Sequence, residues 1–191
     1  MVNGIQIGLV NDHPKLAYNG DFSDVSVYHK IKGLQLAWSN TTGIIKGIQA
    51  GLINNCVTTK GIQTALSNFA DNLFGVQIGL VNSVAGYMKG LQIGGINANT
   101  GTTRGLQLGL FNETGAKYGG TWYWGVQVGV VGNIVEGTLN GLQIGALCRA
   151  DQKGNYVQIG VFTFREGDGP WYTKASPFFG YHKDKELHQK L

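Results

Sequence analysis

The stretch GVQIGLVNSVAGYMKGLQIGGINANTGTTRGLQLGLFN, residues 75–112, states one phrase three times: Gly, aliphatic, Gln, aliphatic, Gly or Ala, then Asn three residues on. The phrase recurs as GIQIGLVN at Gly4, GLQLAWSN at Gly33, GIQAGLIN at Gly47 and GIQTALSN at Gly61. Beyond it come GVQVGVVG at Gly125, GLQIGALC at Gly141 and YVQIGVFT at Tyr156. The repeated glutamines are Gln6, Gln35, Gln49, Gln63, Gln77, Gln92, Gln107, Gln127, Gln143 and Gln158, with most gaps 14 or 15 residues. Self-similarity at a fixed period marks a repeat architecture and precedes any local signal.

Within each copy the aliphatics alternate with Gln and Gly, which is the period of a strand and not of a helix. The fold class is therefore all-β, with about ten to eleven short strands. The double gap across residues 12–32 reads as a degenerate insertion that hides one weak strand near Val25–Tyr28.

Two arrangements use such strands. An antiparallel meander, closed as a flattened sandwich or barrel, would pair Leu91 with Leu110 and Ile93 with Leu108 and turn at Thr100-Gly101. Ala85-Gly86 and Val135-Glu136-Gly137 would be equivalent turns, and X-Gly is a good short-hairpin signal. This register lays each Gln over a Gly or Ala of its neighbour. The alternative is a β-solenoid with rungs of 14–15 residues, which suits columns of Asn and Gln. A basic residue three before Gln, at Lys32, Lys46, Lys60, Lys89 and Arg104, weighs against parallel stacking, because like charges would then stand side by side. The antiparallel meander is the expected arrangement.

Composition bounds the function. The chain has 191 residues, suiting one domain, and its 31 glycines belong to the repeat, since proline is scarce and no collagen triplet occurs. A net charge of +4 falls short of the dense basic clustering of a nucleic-acid binder, so no nucleic acid is expected. No apolar run reaches the roughly 20 residues of a membrane helix. The opening MVNGIQIG enters the first copy without the features of a secretory signal, which reads as cytosolic for the chain as written. Cys56 and Cys148 make neither a disulfide framework nor a metal spacing and read as reduced thiols.

The aliphatic stripe is too narrow to fill a round barrel of ten strands. It therefore calls for a second layer, self-association into a homo-oligomer, or lipid. The membrane barrel is the less favoured of these, although aromatics such as Trp38, Phe69 and Phe74 lie near strand ends as interfacial girdles do.

The phrase GLQIG-hydrophobic-X-Asn at this spacing resembles the surface-repeat-containing proteins of bacteria, over residues 4–163. That resemblance implies an extracellular or envelope role and brings no reaction, cofactor or catalytic residue with it.

Chemistry is sparse. All eleven acidic residues fall in turns, loops or the tail and none inside a copy of the phrase, so the sheet offers no paired carboxylates for acid/base work. The expectation is a non-enzymatic protein without cofactor or metal. The best ligand site is the long interruption ETGAKYGGTWYWG, residues 113–125, whose Lys117, Tyr118, Trp122, Tyr123 and Trp124 offer flat faces and a donor. In a meander, Arg149 and Lys153 join it from a neighbouring turn, making a site for a sugar or a small nucleotide-like anion. Residues 166–191 read as an aromatic and charged tail, with Trp171, Tyr172, Phe178, Phe179 and Tyr181 covering an exposed end of the sheet and the last residues forming a short helix.

Overall fold

The computed structural model describes residues 2–12, 30–115, 121–151, 154–166 and 175–183. The weak strand expected at Val25–Tyr28 and the terminal helix lie outside them. The described chain is all-β: β1 (Val2–Asp12), β2 (Lys30–Ala50), β3 (Ile53–Asn99), β4 (Thr102–Thr114), β5 (Trp122–Val135), β6 (Thr138–Asp151), β7 (Tyr156–Glu166) and β8 (Ala175–His182). They form one open sheet in chain order, parallel from β1 to β7 and antiparallel only between β7 and β8.

β3 shows how the phrase is used. Fourteen extended residues span about 46 Å, yet Gln77 Nε2 donates to Gln63 Oε1 at 2.8 Å and Gln92 Nε2 to Gln77 Oε1 at 2.9 Å. The strand therefore winds back over itself once per copy, and each copy is one rung of a solenoid-like coil. Leu91 pairs with Leu106 and Gln92 with Gln107. The antiparallel meander is corrected: Gln stacks on Gln, not on Gly. Thr100-Gly101 is a corner stacked on the corner below, with Thr100 N–H donating to Val84 O.

Two features turn each rung. The Gly that opens the phrase has φ between 119° and 152° from Gly4 through Gly141, and at Gly75 an added Cβ would stand 2.0 Å from Gly61 O. Glycine is required there by both conformation and approach. The Asn then closes the next corner: Asn68 Nδ2 donates to Ile78 O and to Asn82 Oδ1, both at 2.9 Å. The tenth copy replaces Gly with Tyr156, which pairs with Gly141 and buries its ring beside His182. That departure marks the last parallel rung, over which β8 lies antiparallel.

The interior is inverted relative to an ordinary sheet. Gln35 through Gln158 are fully buried in a ladder of Nε2-to-Oε1 bonds, and Asn40, Asn54, Asn68, Asn82, Asn97, Asn112 and Asn133 form a second ladder. Two further inward columns carry most of the apolar core, in three clusters: Ile31, Ile45 and Cys56; Ala70, Leu73, Val84 and Met88; and Tyr123, Val135, Leu139 and Ala150, joined by Tyr156 from the glycine position. Between the last two clusters the same columns turn polar, and Asn99 bonds Gln92 at 3.0 Å and Thr103 at 3.1 Å.

Magnitudes explain why the parallel stack prevails over the basic column. Each enclosed amide bond contributes roughly 1 kcal/mol, and leaving its partner unsatisfied costs more. Repulsion between exposed lysines is worth a few tenths of a kcal/mol and is screened within about 8–10 Å by salt. Two buried ladders outweigh one file of exposed like charges.

Cys148 stands in the Asn column, paired with Asn133. Asn133 Nδ2 reaches its sulfur at 3.7 Å, and the thiol reaches Ile159 O at 3.7 Å, the carbonyl position to which Asn residues donate in earlier rungs. Cys148→Asn is expected to extend the ladder and stabilise the fold by about 1 kcal/mol, read as a higher urea midpoint. A lower midpoint would show that this rung has no room for the amide.

Candidate functional site

The inward amides leave the aliphatics of the phrase outside. Leu52, Leu66, Leu80 and Leu110 occupy one column, three residues after Gln, and Ile48, Ile62, Ile78 and Ile93 flank Gln on the same outer side; all are exposed. Ile53, Ile96, Phe111, Val161 and Phe162 continue the surface along the coil. Monomeric soluble proteins rarely expose contiguous apolar patches larger than a few hundred Å². Ten rungs at about 4.8 Å make this one about 43 Å long.

Three residues before each Gln runs a different file. Asn3 pairs with Lys32, Lys46 with Lys60, Lys89 with Arg104, Arg104 with Trp124 and Trp124 with Asn140. The stacked glycines that follow them place Lys32 under Lys46 and Phe74 under Lys89. All five cations are exposed, as are Phe74 and Trp124. Lys60 Nζ lies 5.6 Å from the Phe74 ring centroid, and Phe74 contacts Tyr87 at 5.6 Å. The column was visible in the spacing. In the sequence it reads only as a cost of parallel stacking, and the fold makes it a surface.

The expected ligand site is divided by the fold. Trp122 and Trp124 are 46% and 48% exposed and present their faces outward. Tyr123 is corrected as a ligand contact: it is fully buried in the core, and its hydroxyl donates to Val126 O at 2.7 Å. Burial pushes the Tyr123 phenol upward from its ordinary value. Strand alternation decides this, since neighbours on a strand point to opposite faces. Arg149 is half-buried on β6 between Ile134 and Phe164. Lys117, Tyr118 and Lys153 lie outside the described residues.

Other reactive groups have structural surroundings. Cys56 and Cys148 are free and buried, and burial raises both thiols above the usual range, which keeps them protonated and poorly nucleophilic. The Asp151 carboxylate accepts from Gly137 N–H at 2.6 Å and so holds a corner. Among the described residues no group of three or more His, Cys, Asp or Glu is placed to hold a metal ion. No protein family, curated protein or solved structure matches the chain.

Proposed function

We propose that this chain is a non-enzymatic assembly scaffold that self-associates through its outer aliphatic face. The observation that carries the reading is the inversion of the repeat: amides fill the interior and the aliphatic columns stand in solvent. Burying a fully exposed leucine or isoleucine contributes about 1.5–3 kcal/mol, and these half-exposed side chains gain about half of that each; the face repeats with the rung spacing, so a second copy offers the same ridges and grooves. The envelope role implied by the resemblance to surface-repeat proteins fits such a scaffold.

Light scattering coupled to size-exclusion chromatography tests it. The full chain is expected to elute as an oligomer. Leu66→Lys with Leu80→Lys, at positions 58% and 62% exposed, is expected to give a monomer with unchanged circular dichroism. A wild-type monomer across the accessible concentration range would overturn the reading. Solubility only in detergent would favour lipid as the cover for this face, the alternative that keeps the exposed aliphatics and aromatics in a membrane. The other reading, a soluble protein that sequesters a sugar or nucleotide-like anion, has Trp122 and Trp124 as its described contacts.

A further inference from the structure

The basic file is a linear array with no carboxylate in it. From Asn3 to Asn140 its members are Asn3, Lys32, Lys46, Lys60, Phe74, Lys89, Arg104, Trp124 and Asn140. Rungs about 4.8 Å apart hold these side chains in single file along the coil axis. Directly opposed like charges destabilise a sheet, so the file stores electrostatic repulsion that a polyanion lying along it would relieve. The one break between cations is filled by an aromatic ring, and among the described members of the file there is no acid. Phe74 stands between Lys60 and Lys89, and Trp124 follows Arg104.

We infer that this file is a binding track for a linear acidic polysaccharide, with carboxylate or sulfate groups on the five cations and sugar rings against Phe74 and Trp124. A flat aromatic face with neighbouring donors suits a sugar ring. Double-stranded nucleic acid presents two phosphate tracks on a helical path, whereas this array is one straight track. Single strands are gripped by aromatic platforms for successive bases, and here two rings accompany five charges. A membrane would engage the aliphatic columns as well as the file. The track lies beside those columns, so it stands whether or not the chain self-associates.

Isothermal titration of the full chain with polygalacturonate tests the inference, with neutral dextran, oligothymidylate and vesicles of equal phosphatidylcholine and phosphatidylglycerol as comparisons. Polygalacturonate is expected to bind, dextran is not, and the affinity falls as sodium chloride rises. Lys46→Gln with Lys60→Gln is expected to weaken binding about tenfold or more through loss of two charge contacts, while Lys46→Arg with Lys60→Arg retains it. These side chains are exposed, so the Gln pair should melt no lower than wild type, which separates lost binding from lost folding. No binding, equal binding of dextran, or equal binding by the Gln pair would overturn the track. Tighter binding of oligothymidylate would make it a nucleic-acid surface, and binding of vesicles alone a lipid surface; either overturns the polysaccharide. Light scattering on the same samples reports self-association separately: a monomer that still titrates polygalacturonate defeats the scaffold and leaves the track standing.

Discussion

Gly75→Ala is expected to lose more than about 4 kcal/mol and to prevent the central rungs from closing, a size of effect reserved for backbone strain and gross overpacking. Gly75 has φ of 148°, and an alanine Cβ would meet Gly61 O at 2.0 Å, Gly61 C at 2.9 Å and Gly61 N at 3.0 Å. All three are backbone atoms of the rung below, so no rotamer change makes room. The rung above sits equally close, since Gly90 approaches Gly75 O in the same way. Gly79→Ala provides the comparison. Its Cβ would also be crowded, 2.3 Å from Ala65 O and 2.7 Å from Asn68 Nδ2, but alanine already occupies this position of the phrase at Ala37 and Ala65. Its cost is expected to be smaller, because the crowding there is not compounded by a left-handed backbone. Urea unfolding followed by circular dichroism measures both. Equal small shifts for the two would show that the opening glycine is not required by its conformation.

Gln77→Glu is the second large effect. Gln77 donates to Gln63 Oε1 at 2.8 Å and accepts from Gln92 Nε2 at 2.9 Å with no exposure to solvent. A carboxylate keeps the second bond and inverts the first, setting two acceptors against each other and burying an unpaired charge. The expected loss at neutral pH is about 3–5 kcal/mol. Protonation restores a donor toward Gln63, so the folded form holds the proton more tightly than the unfolded chain, whose carboxyl titrates near 4.3. A raised pKa gives stability that is present below the unfolded value and lost as pH rises through the folded one. The deficit relative to wild type at the same pH should therefore shrink on acidification toward pH 4. A variant as stable as wild type at pH 7 would show that the amide ladder is not enclosed.

The repeat, its strand character and its all-β class were legible because period-2 alternation and a fixed spacing of Gln survive in ten copies. The direction of the strands was not legible. X-Gly pairs such as Thr100-Gly101 serve a hairpin and a stacked corner equally well, because both need a tight reversal and neither encodes which neighbour lies alongside. The hairpin register also sets Ile93 beside Leu108, which pair in the structure, but in the opposite chain sense. The candidate site was half legible. Trp122 and Trp124 are aromatics on the surface, and Tyr123 between them is core by the alternation that defined the strands.

Periodicity alone shows that the chain is built from one strand-sized unit, where each unit begins, and that Gly, Gln and Asn hold special positions in it. Which face is inside depends on how the rungs stack. An isolated strand with Gln on one side and aliphatics on the other should bury the aliphatics. A narrow coil wound on itself brings identical amides within hydrogen-bonding reach rung after rung, which makes burying them favourable and leaves the aliphatics, and the cations beside them, to meet whatever lies outside.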